Sequence, residues 1–156
     1  MPSDTPRSTA RIAGHPIHPM LVPIPIACFV GTWLSDLVYW KTAAMQWANF
    51  SAWMLTVGLI VSIFVALTGV IDFFGERRIR ALRPAWIHGL GNGFVLILSI
   101  VNAFVHSRDA YTSVVPSGLL LSTLVVLILA VTGWNGWEMV YRHGVGVRPL
   151  GSGDRR

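Results

Sequence analysis

The sequence predicts an all-α integral membrane protein, a four-helix bundle with up-down-up-down connections and both termini in the cytoplasm. The composition, the length of four apolar runs and the distribution of basic residues lead to this prediction. Of the 156 residues, 53% are hydrophobic and only 12% are charged, whereas soluble domains carry about 25% charged residues. This composition excludes disordered, collagen-like and coiled-coil chains. The single cysteine excludes an internal disulfide framework and a CxxC site.

Four apolar runs are each long enough to cross a bilayer, which requires about 20 residues. They cover residues 20–40, 47–74, 86–106 and 117–141. The connections between them are short, and short connections favour antiparallel neighbours in a bundle. The transmembrane domain is therefore predicted at residues 14–148, between a flexible N-terminal tail (1–13) and a flexible C-terminal tail (149–156). No internal repeat is evident in the sequence.

Basic residues are concentrated in the segments that this topology places on the side of the two termini. Ten of the 12 lie there: Arg7, Arg11, Arg77, Arg78, Arg80, Arg83, Arg142, Arg148, Arg155 and Arg156. Only Lys41 and Arg108 fall on the other side. Cytoplasmic loops carry an excess of Lys and Arg, so both termini are predicted to be cytoplasmic. Because these arginines flank apolar runs as membrane anchors do, nucleic acid is not an expected partner.

Small and polar residues recur at helical spacing within the spans. In the third span the series is His88, Asn92, Ser99, Asn102 and His106, and residues at these steps share one face of a helix. Serine, threonine and glycine on such a face commonly serve close helix packing. The two asparagines are expected either to form structural hydrogen bonds or to line a site. An ionisable residue within a span is costly and therefore indicates a function.

Four of the five histidines and one aspartate fall at the cytoplasmic end of the predicted bundle. Imidazole is a common ligand of transition metals and of haem iron. We therefore predict a cofactor site at this end. Its candidate residues are His15, His18, His88, His143, Arg142 and Asn92 for a cofactor such as haem, and His15, His18, His88, His143 and Asp72 for a metal ion.

Two residues near the span ends have more than one interpretation. Arg142 follows the fourth span, where it either contacts lipid phosphates or pairs with Asp72, Glu138 or a haem propionate. His106 is the one histidine at the outer face, where it is expected to be interfacial or hydrogen-bonded. Catalytic residues stay unknown, because the sequence shows no nucleophile–base–acid arrangement, no P-loop and no Rossmann glycine pattern.

The segment from residue 14 to residue 25 contains two His-Pro pairs and two further prolines. Proline disfavours helical geometry at the residue before it and is excluded from helix interiors. Regular helix is therefore expected to begin near Pro23, after an ordered, non-helical or bent strap at residues 14–22. This strap would hold His15 and His18 at the membrane interface. The alternative is that the prolines only start a helix and that both histidines lie among the lipid headgroups.

Two segments of the chain, HisProIleHisPro at residues 15–19 and TyrArgHisGlyValGlyVal at residues 141–147, resemble the bacterial membrane family catalogued as domain of unknown function 2231. The resemblance covers about residues 11–148, and Trp137 stands where this family is expected to have glycine. It implies a four-span protein of the bacterial inner membrane, with His15, His18 and His143 as its motif histidines. Similar domains occur fused or adjacent to Rieske and cytochrome c modules, which implies a redox partner of one of these types.

Three functional hypotheses remain open from the sequence. The first is a redox membrane protein with one haem b, in which His88 is an axial ligand and His143 or His18 is the other. The second is a non-haem metal site, which three or four mixed His and Asp ligands would favour over an opposed histidine pair. The third is a non-catalytic assembly subunit or a small transporter, expected to be a homodimer. Its polar seam would serve packing or form a proton path through Asp36, Asn102, Asn92 and Asp72.

Overall fold

The computed structural model describes residues 5–108 and 114–147. Two short strands, β1 (Arg11–Ile12) and β2 (His15–Pro16), precede the helices. The helices are α1 (Ile17–Leu21), α2 (Pro23–Thr42), α3 (Met45–Gly75), α4 (Arg77–Arg80), α5 (Arg83–His106) and α6 (Leu119–Tyr141), and α6 is preceded by a kinked segment at Val114–Gly118 in which Val115 is extended. The segments Ile17–Thr42, Met45–Gly75, Arg83–His106 and Val114–Tyr141 are long and apolar enough to cross a membrane. The predicted all-α four-helix membrane bundle is confirmed. The predicted tail at 149–156 lies outside the described residues.

The four long helices form a closed ring in cross-section. Helix α2 packs along α3 and α5 packs along α6, while smaller contacts between α3 and α5 and between α2 and α6 complete the ring. Large apolar side chains such as Phe64, Ile97 and Leu127 are more than half exposed on the outside. Such a surface would be unfavourable in water and suits contact with lipid tails. We call the end that carries both terminal segments the terminal end, and the opposite end the far end.

The strap before α2 is built differently from the sequence expectation. Ala13 and Gly14 have φ values of 50° and 82°, which form a tight hairpin turn between β1 and β2. Helix then begins at Ile17 rather than near Pro23. Pro19 is tolerated because amides in the first turn of a helix have no intrahelical partner. Pro23 lies further along and lacks the N–H that a continuous helix needs, so the helix is interrupted at Val22.

The two terminal segments pack against each other at the terminal end. Gly144 and Gly146 have φ values of 64° and 76°, and they turn the chain after α6. The Gly146 amide then donates to the Pro6 carbonyl at 3.0 Å. Residues 5–13, which the sequence assigns to a flexible tail, therefore make specific contacts with the rest of the protein. The two glycines let the segment after α6 approach these residues closely.

The two halves of the bundle repeat one arrangement, although no repeat is evident in the sequence. Asp36 and His106 are separated by 70 residues. At the same separation, the buried residues Pro25, Phe29 and Thr32 of α2 correspond to Val95, Ser99 and Asn102 of α5, all of them also buried. The buried series Ser51, Leu55 and Gly58 of α3 has the spacing of Gly118, Ser122 and Val125 in the fourth span. The halves are thus related by a pseudo-twofold axis along the bundle, and equivalent residues face each other across it.

Two apolar layers cross the interior. The central layer contains one residue from each long helix: Phe29, Leu55, Val95 and Val125. The far-end layer contains Tyr39, Ala48 and Val114, with Val115 packed against them. The polar residues of the spans are therefore divided into one group at the terminal end and one group between the two layers.

Candidate functional site

His18 lies in α1 and its side chain reaches across to α3. The Nδ1 atom lies 2.9 Å from the Val65 carbonyl oxygen. A carbonyl only accepts, so this nitrogen carries the proton and donates it. The imidazole rests on Gly69, where a Cβ atom would stand 3.0 Å from the ring. Glycine at this position therefore makes the space that the ring occupies.

His88 lies near the start of α5 and repeats this arrangement in the second half of the bundle. Its Nδ1 atom lies 2.8 Å from the Thr132 carbonyl oxygen of α6, to which it donates. The ring rests on Gly136, where a Cβ atom would stand 3.2 Å from Cε1 and Nδ1. In both halves, the glycine follows the accepting carbonyl by one helical turn.

The two half-buried imidazoles meet on the pseudo-twofold axis. Their ring centroids are 6.0 Å apart and the ring planes are nearly perpendicular, at 74°. In the neutral form of each ring, Nδ1 carries the proton and Nε2 has a free lone pair. A backbone carbonyl that binds Nδ1–H is the usual support of a histidine that ligates a metal through its other nitrogen. The structure therefore brings two imidazoles together, each held through Nδ1 by a backbone carbonyl.

Asn92 connects the histidine pair to its surroundings. Its Nδ2 donates to the His88 carbonyl at 2.8 Å, and its Oδ1 accepts from the Thr132 hydroxyl at 3.4 Å. Thr132 is thus joined to α5 both through its carbonyl and through its side chain. Asn92 lies beside the pair, as the sequence predicts, and it fixes α5 against α6 at the level of His88.

Asp72, a predicted metal ligand, is bound by the N-terminal segment instead. Both carboxylate oxygens lie 2.9 Å from the Ser8 hydroxyl, and Oδ1 also accepts from the amides of Thr9 and Ala10 at 2.6 and 2.7 Å. Charge-assisted hydrogen bonds of this kind are about twice as strong as neutral ones. The carboxylate therefore holds residues 8–10 on the end of α3 and does not join His18 and His88.

The other predicted site residues are also not brought to the pair. His15 is exposed on the hairpin, with Nδ1 3.1 Å from the Ala13 carbonyl, and His143 is exposed after α6. Arg142 pairs with Glu138 at 3.3 Å on the surface, one of the partners that the sequence allows. Within residues 5–108 and 114–147, no group of three or more His, Cys, Asp or Glu side chains is placed to hold a metal ion. The structure therefore corrects the predicted convergence of four histidines and Asp72 to one pair.

A second polar cluster lies between the two apolar layers, and from the sequence only its members Asp36 and Asn102 were singled out, as part of the proton-path alternative. Asp36 lies at its centre and is fully buried. Its Oδ1 accepts from the Ser51 hydroxyl and lies 3.0 Å from Nε2 of His106, while Oδ2 accepts from the Ser122 hydroxyl at 2.7 Å. Nδ1 of His106 donates to the Asn102 carbonyl at 3.0 Å. The hydrogen-bonded alternative for His106 is thus the observed one.

The available signal for this cluster was the ionisable residue inside the first span. The sequence separates Asp36 and His106 by 70 residues, so nothing local connects them. Their separation equals that of His18 and His88, and this equality is the pattern that could have revealed both pairs. Recognising this pattern requires knowledge of how each helix is oriented about its own axis, because that orientation brings equivalent residues to one axis.

The far-end cluster does not have the geometry of a nucleophilic triad. In such triads the serine approaches Nε2 of histidine and the carboxylate holds Nδ1. Here Ser51 and Asp36 both approach Nε2 of His106, at 3.0 Å each, while Nδ1 is occupied by a backbone carbonyl. The arrangement cannot activate the serine hydroxyl in that manner, and instead it places a carboxylate directly beside an imidazole nitrogen.

The fold and these two clusters define a multi-pass membrane protein with one paired-imidazole site and one carboxylate–imidazole site inside its bundle. The model of a family described as predicted membrane protein (DUF2231) matches residues 14–149, nearly the whole chain. The chain belongs to this family, as its sequence motifs predict. Neither the comparison with curated proteins nor that with solved structures finds a match.

Proposed function

We propose that this protein is a haem-binding redox protein of the bacterial inner membrane, in which His18 and His88 would hold one haem b. The termini, and therefore the haem, lie at the cytoplasmic side in this proposal, because the basic residues are concentrated there. The observation that supports it is the adjacent pair of imidazoles, each held by a backbone carbonyl through Nδ1.

The separation of the two rings fits ligation of one metal centre. A metal–nitrogen bond of about 2.0–2.1 Å on each side places two opposed imidazole centroids about 6 Å apart. The observed centroid distance is 6.0 Å. Two histidines from different helices are also the ligand set of a six-coordinate haem iron. The donor set and the centroid distance therefore support the proposal.

The protein supplies the orientation and the electronic environment of the ligands. Bound haem would provide one-electron transfer. The carbonyls of Val65 and Thr132 keep both Nε2 lone pairs available and increase the basicity of the rings. Gly69 and Gly136 let the rings lie flat on α3 and α6. His106 is bound to Asp36, so the far end offers no second histidine pair within the described residues. A partner protein would therefore have to supply the electron and accept it again. A Rieske or cytochrome c type protein remains the predicted partner.

A transition metal ion without porphyrin is the second candidate, because it would use the same two nitrogens. The described residues assemble two imidazoles and no third protein ligand, whereas structural zinc sites use four. A metal bound here would have to complete its coordination with water or with an external ligand. This requirement makes haem, which brings four nitrogens of its own, the better fit.

The test is an optical spectrum of the protein purified in detergent from cells supplied with haem and metals, with metal analysis on the same sample. We expect a Soret band that shifts on reduction with dithionite, and its loss in His18→Ala and in His88→Ala. His15→Ala and His143→Ala are matched controls, since both histidines are exposed, and they should keep the band.

Each other result has a defined meaning. A stoichiometric metal without a Soret band, lost in the same two variants, would replace haem by a bare metal ion. Retention of full cofactor by both His18→Ala and His88→Ala would exclude this pair as the ligands. Absence of haem and of metal would favour the assembly or transport hypothesis, including the homodimer that it predicts.

A further inference from the structure

The far-end cluster is a buried polar layer inside the bundle, which we call the chamber. On α2 it lies between Phe29 of the central apolar layer and Tyr39 of the far-end layer, and on α3 it lies between Leu55 and Ala48. Eight buried polar residues line it: Thr32, Ser35, Asp36, Ser51, Ser99, Asn102, His106 and Ser122. Helix packing would require only the small hydroxyl residues, whereas a buried carboxylate and imidazole are costly.

The hydrogen bonds determine how many protons the chamber holds. Nδ1 of His106 donates to the Asn102 carbonyl, so it already carries a proton. Nε2 lies 3.0 Å from Asp36 Oδ1, and two lone pairs at this distance would repel each other unless a proton lies between them. That proton belongs either to an imidazolium facing a carboxylate or to a carboxylic acid facing a neutral imidazole. In both cases the pair is neutral overall, the state that a low-dielectric interior favours.

Unpartnered polar atoms occur within two helical turns of Asp36 or His106 on the same helices. The hydroxyl of Ser99 and both polar atoms of the Asn102 amide are buried without a hydrogen-bond partner in the described structure, and so is the Tyr39 hydroxyl. Ser99 and Asn102 precede His106 on the same face of α5, and Tyr39 follows Asp36 by one helical turn on α2. Buried polar groups of this kind are normally satisfied by ordered water. The chamber therefore offers donors and acceptors to small polar ligands beside the protonated pair.

We propose that this chamber is a proton-binding site, in which Asp36 and His106 share one exchangeable proton and Ser99 and Asn102 hold ordered water beside it. The proton exchanges toward the far end of the bundle. Asp36 is six residues from the end of α2 at Thr42, about 9 Å along the helix, and His106 is the last residue of α5. The far-end layer of Tyr39, Ala48 and Val114 is the barrier that must open. The central layer separates the site from His18 and His88.

Few other charged or titratable groups lie near Asp36 and His106. The groups that face it from α3 and α6 are the neutral hydroxyls of Ser51 and Ser122. On α2 and α5 the titratable or charged neighbours among the described residues are Tyr39, which is buried, and Lys41 and Arg108, which are exposed. The proton count therefore depends on Asp36 and His106 themselves. It does not depend on whether the terminal end binds a cofactor.

The test locates the proton in the protein reconstituted in lipid bilayers at neutral pH. Nitrogen-15 NMR of labelled histidine shows whether His106 is protonated on both nitrogens, and infrared spectroscopy shows whether Asp36 contributes a protonated carboxyl band. We expect one of these two signals, and we expect Asp36→Asn to abolish it. Glu138→Gln is the matched control, because it removes a surface carboxylate and should leave the signal unchanged. His106→Gln assigns the NMR signal and provides a second variant if Asp36→Asn does not fold.

The route of exchange is tested by transferring the sample to D₂O and following the same signal. Val114→Ala thins the far-end layer and should accelerate exchange at least several-fold over the wild type. Val125→Ala removes the same two methyl groups from the central layer and should change the rate much less. An unprotonated Nε2 of His106 together with an ionised Asp36 would overturn the proton site. Faster exchange in Val125→Ala than in Val114→Ala would overturn the far-end route.

Discussion

His18 and His88 occupy equivalent places in the two halves of the bundle, and their imidazoles meet with ring centroids 6.0 Å apart. Each ring donates from Nδ1 to a carbonyl of the next membrane span, α3 for His18 and α6 for His88. Each ring also lies on a glycine one turn further along that helix. Asp36 and His106 also occupy equivalent places and meet at the far end, about 27 Å away along helices that rise 1.5 Å per residue. The pseudo-twofold axis therefore carries an ionisable pair at both ends of the membrane domain.

The glycines beneath the two imidazoles should be required for cofactor binding. A Cβ atom at Gly69 or Gly136 would stand 3.0 or 3.2 Å from the histidine ring, and overpacking of this kind costs about 1–3 kcal/mol. We expect Gly69→Ala and Gly136→Ala to lower the bound cofactor several-fold, measured as haem or metal per protein. Gly133→Ala is the matched control on α6, because nothing lies within 4 Å of its Cβ position. Equal cofactor content in all three variants would show that ring placement does not govern binding.

The Asp72 carboxylate should hold the N-terminal segment on the bundle. Asp72→Asn exchanges a charged acceptor for a neutral amide opposite the Ser8 hydroxyl and the Thr9 and Ala10 amides. Loss of these charge-assisted bonds should cost about 1–3 kcal/mol. We expect faster tryptic cleavage after Arg7 and Arg11, with the transmembrane fragment intact. Glu138→Gln serves as the control, and an unchanged cleavage rate in Asp72→Asn would contradict the anchoring role.

Asp36 and His106 should be energetically coupled. Removing one partner of a buried, hydrogen-bonded polar pair leaves the other unsatisfied, and Asp36→Ala should destabilise the protein by several kcal/mol, up to about 3–5 kcal/mol. The double variant Asp36→Ala/His106→Ala should be more stable than the sum of the single effects predicts, by about 0.5–3 kcal/mol. Unfolding of the four proteins of this cycle in mixed detergent measures the coupling. The same cycle with Asp36 and Asp72, which share no partner, should be additive within about 0.5 kcal/mol.

The orientation of the bundle should place both termini in the cytoplasm. Arg77, Arg78, Arg80 and Arg83 lie between the second and third spans, on the same side as the termini. A reporter that is active only in the cytoplasm should be active when fused after residue 156 and inactive when fused after Ala43. The opposite result would move the histidine pair to the outer face, and it would leave the pair itself intact.

The sequence by itself determined the membrane class, the four spans and the end of the bundle at which His18 and His88 lie. These properties follow from the length of apolar runs and from the order of residues along helices, which a chain carries without knowledge of its neighbours. The polar face of α5 could also be predicted, because helical periodicity alone places Asn92, Asn102 and His106 on one side.

Only the tertiary structure decided which of these residues meet. His15 has the same chemistry as His18, but the positive φ angles of Ala13 and Gly14 form a hairpin that leaves it exposed. The sequence leaves Asp72 available as a metal ligand, whereas in the structure its carboxylate binds the N-terminal segment. Asp36 and His106 form a pair because α2 and α5 are oriented about their own axes so that these two side chains face each other. That orientation is set by packing against α3 and α6, and such long-range packing is not encoded in the local periodicity of either helix.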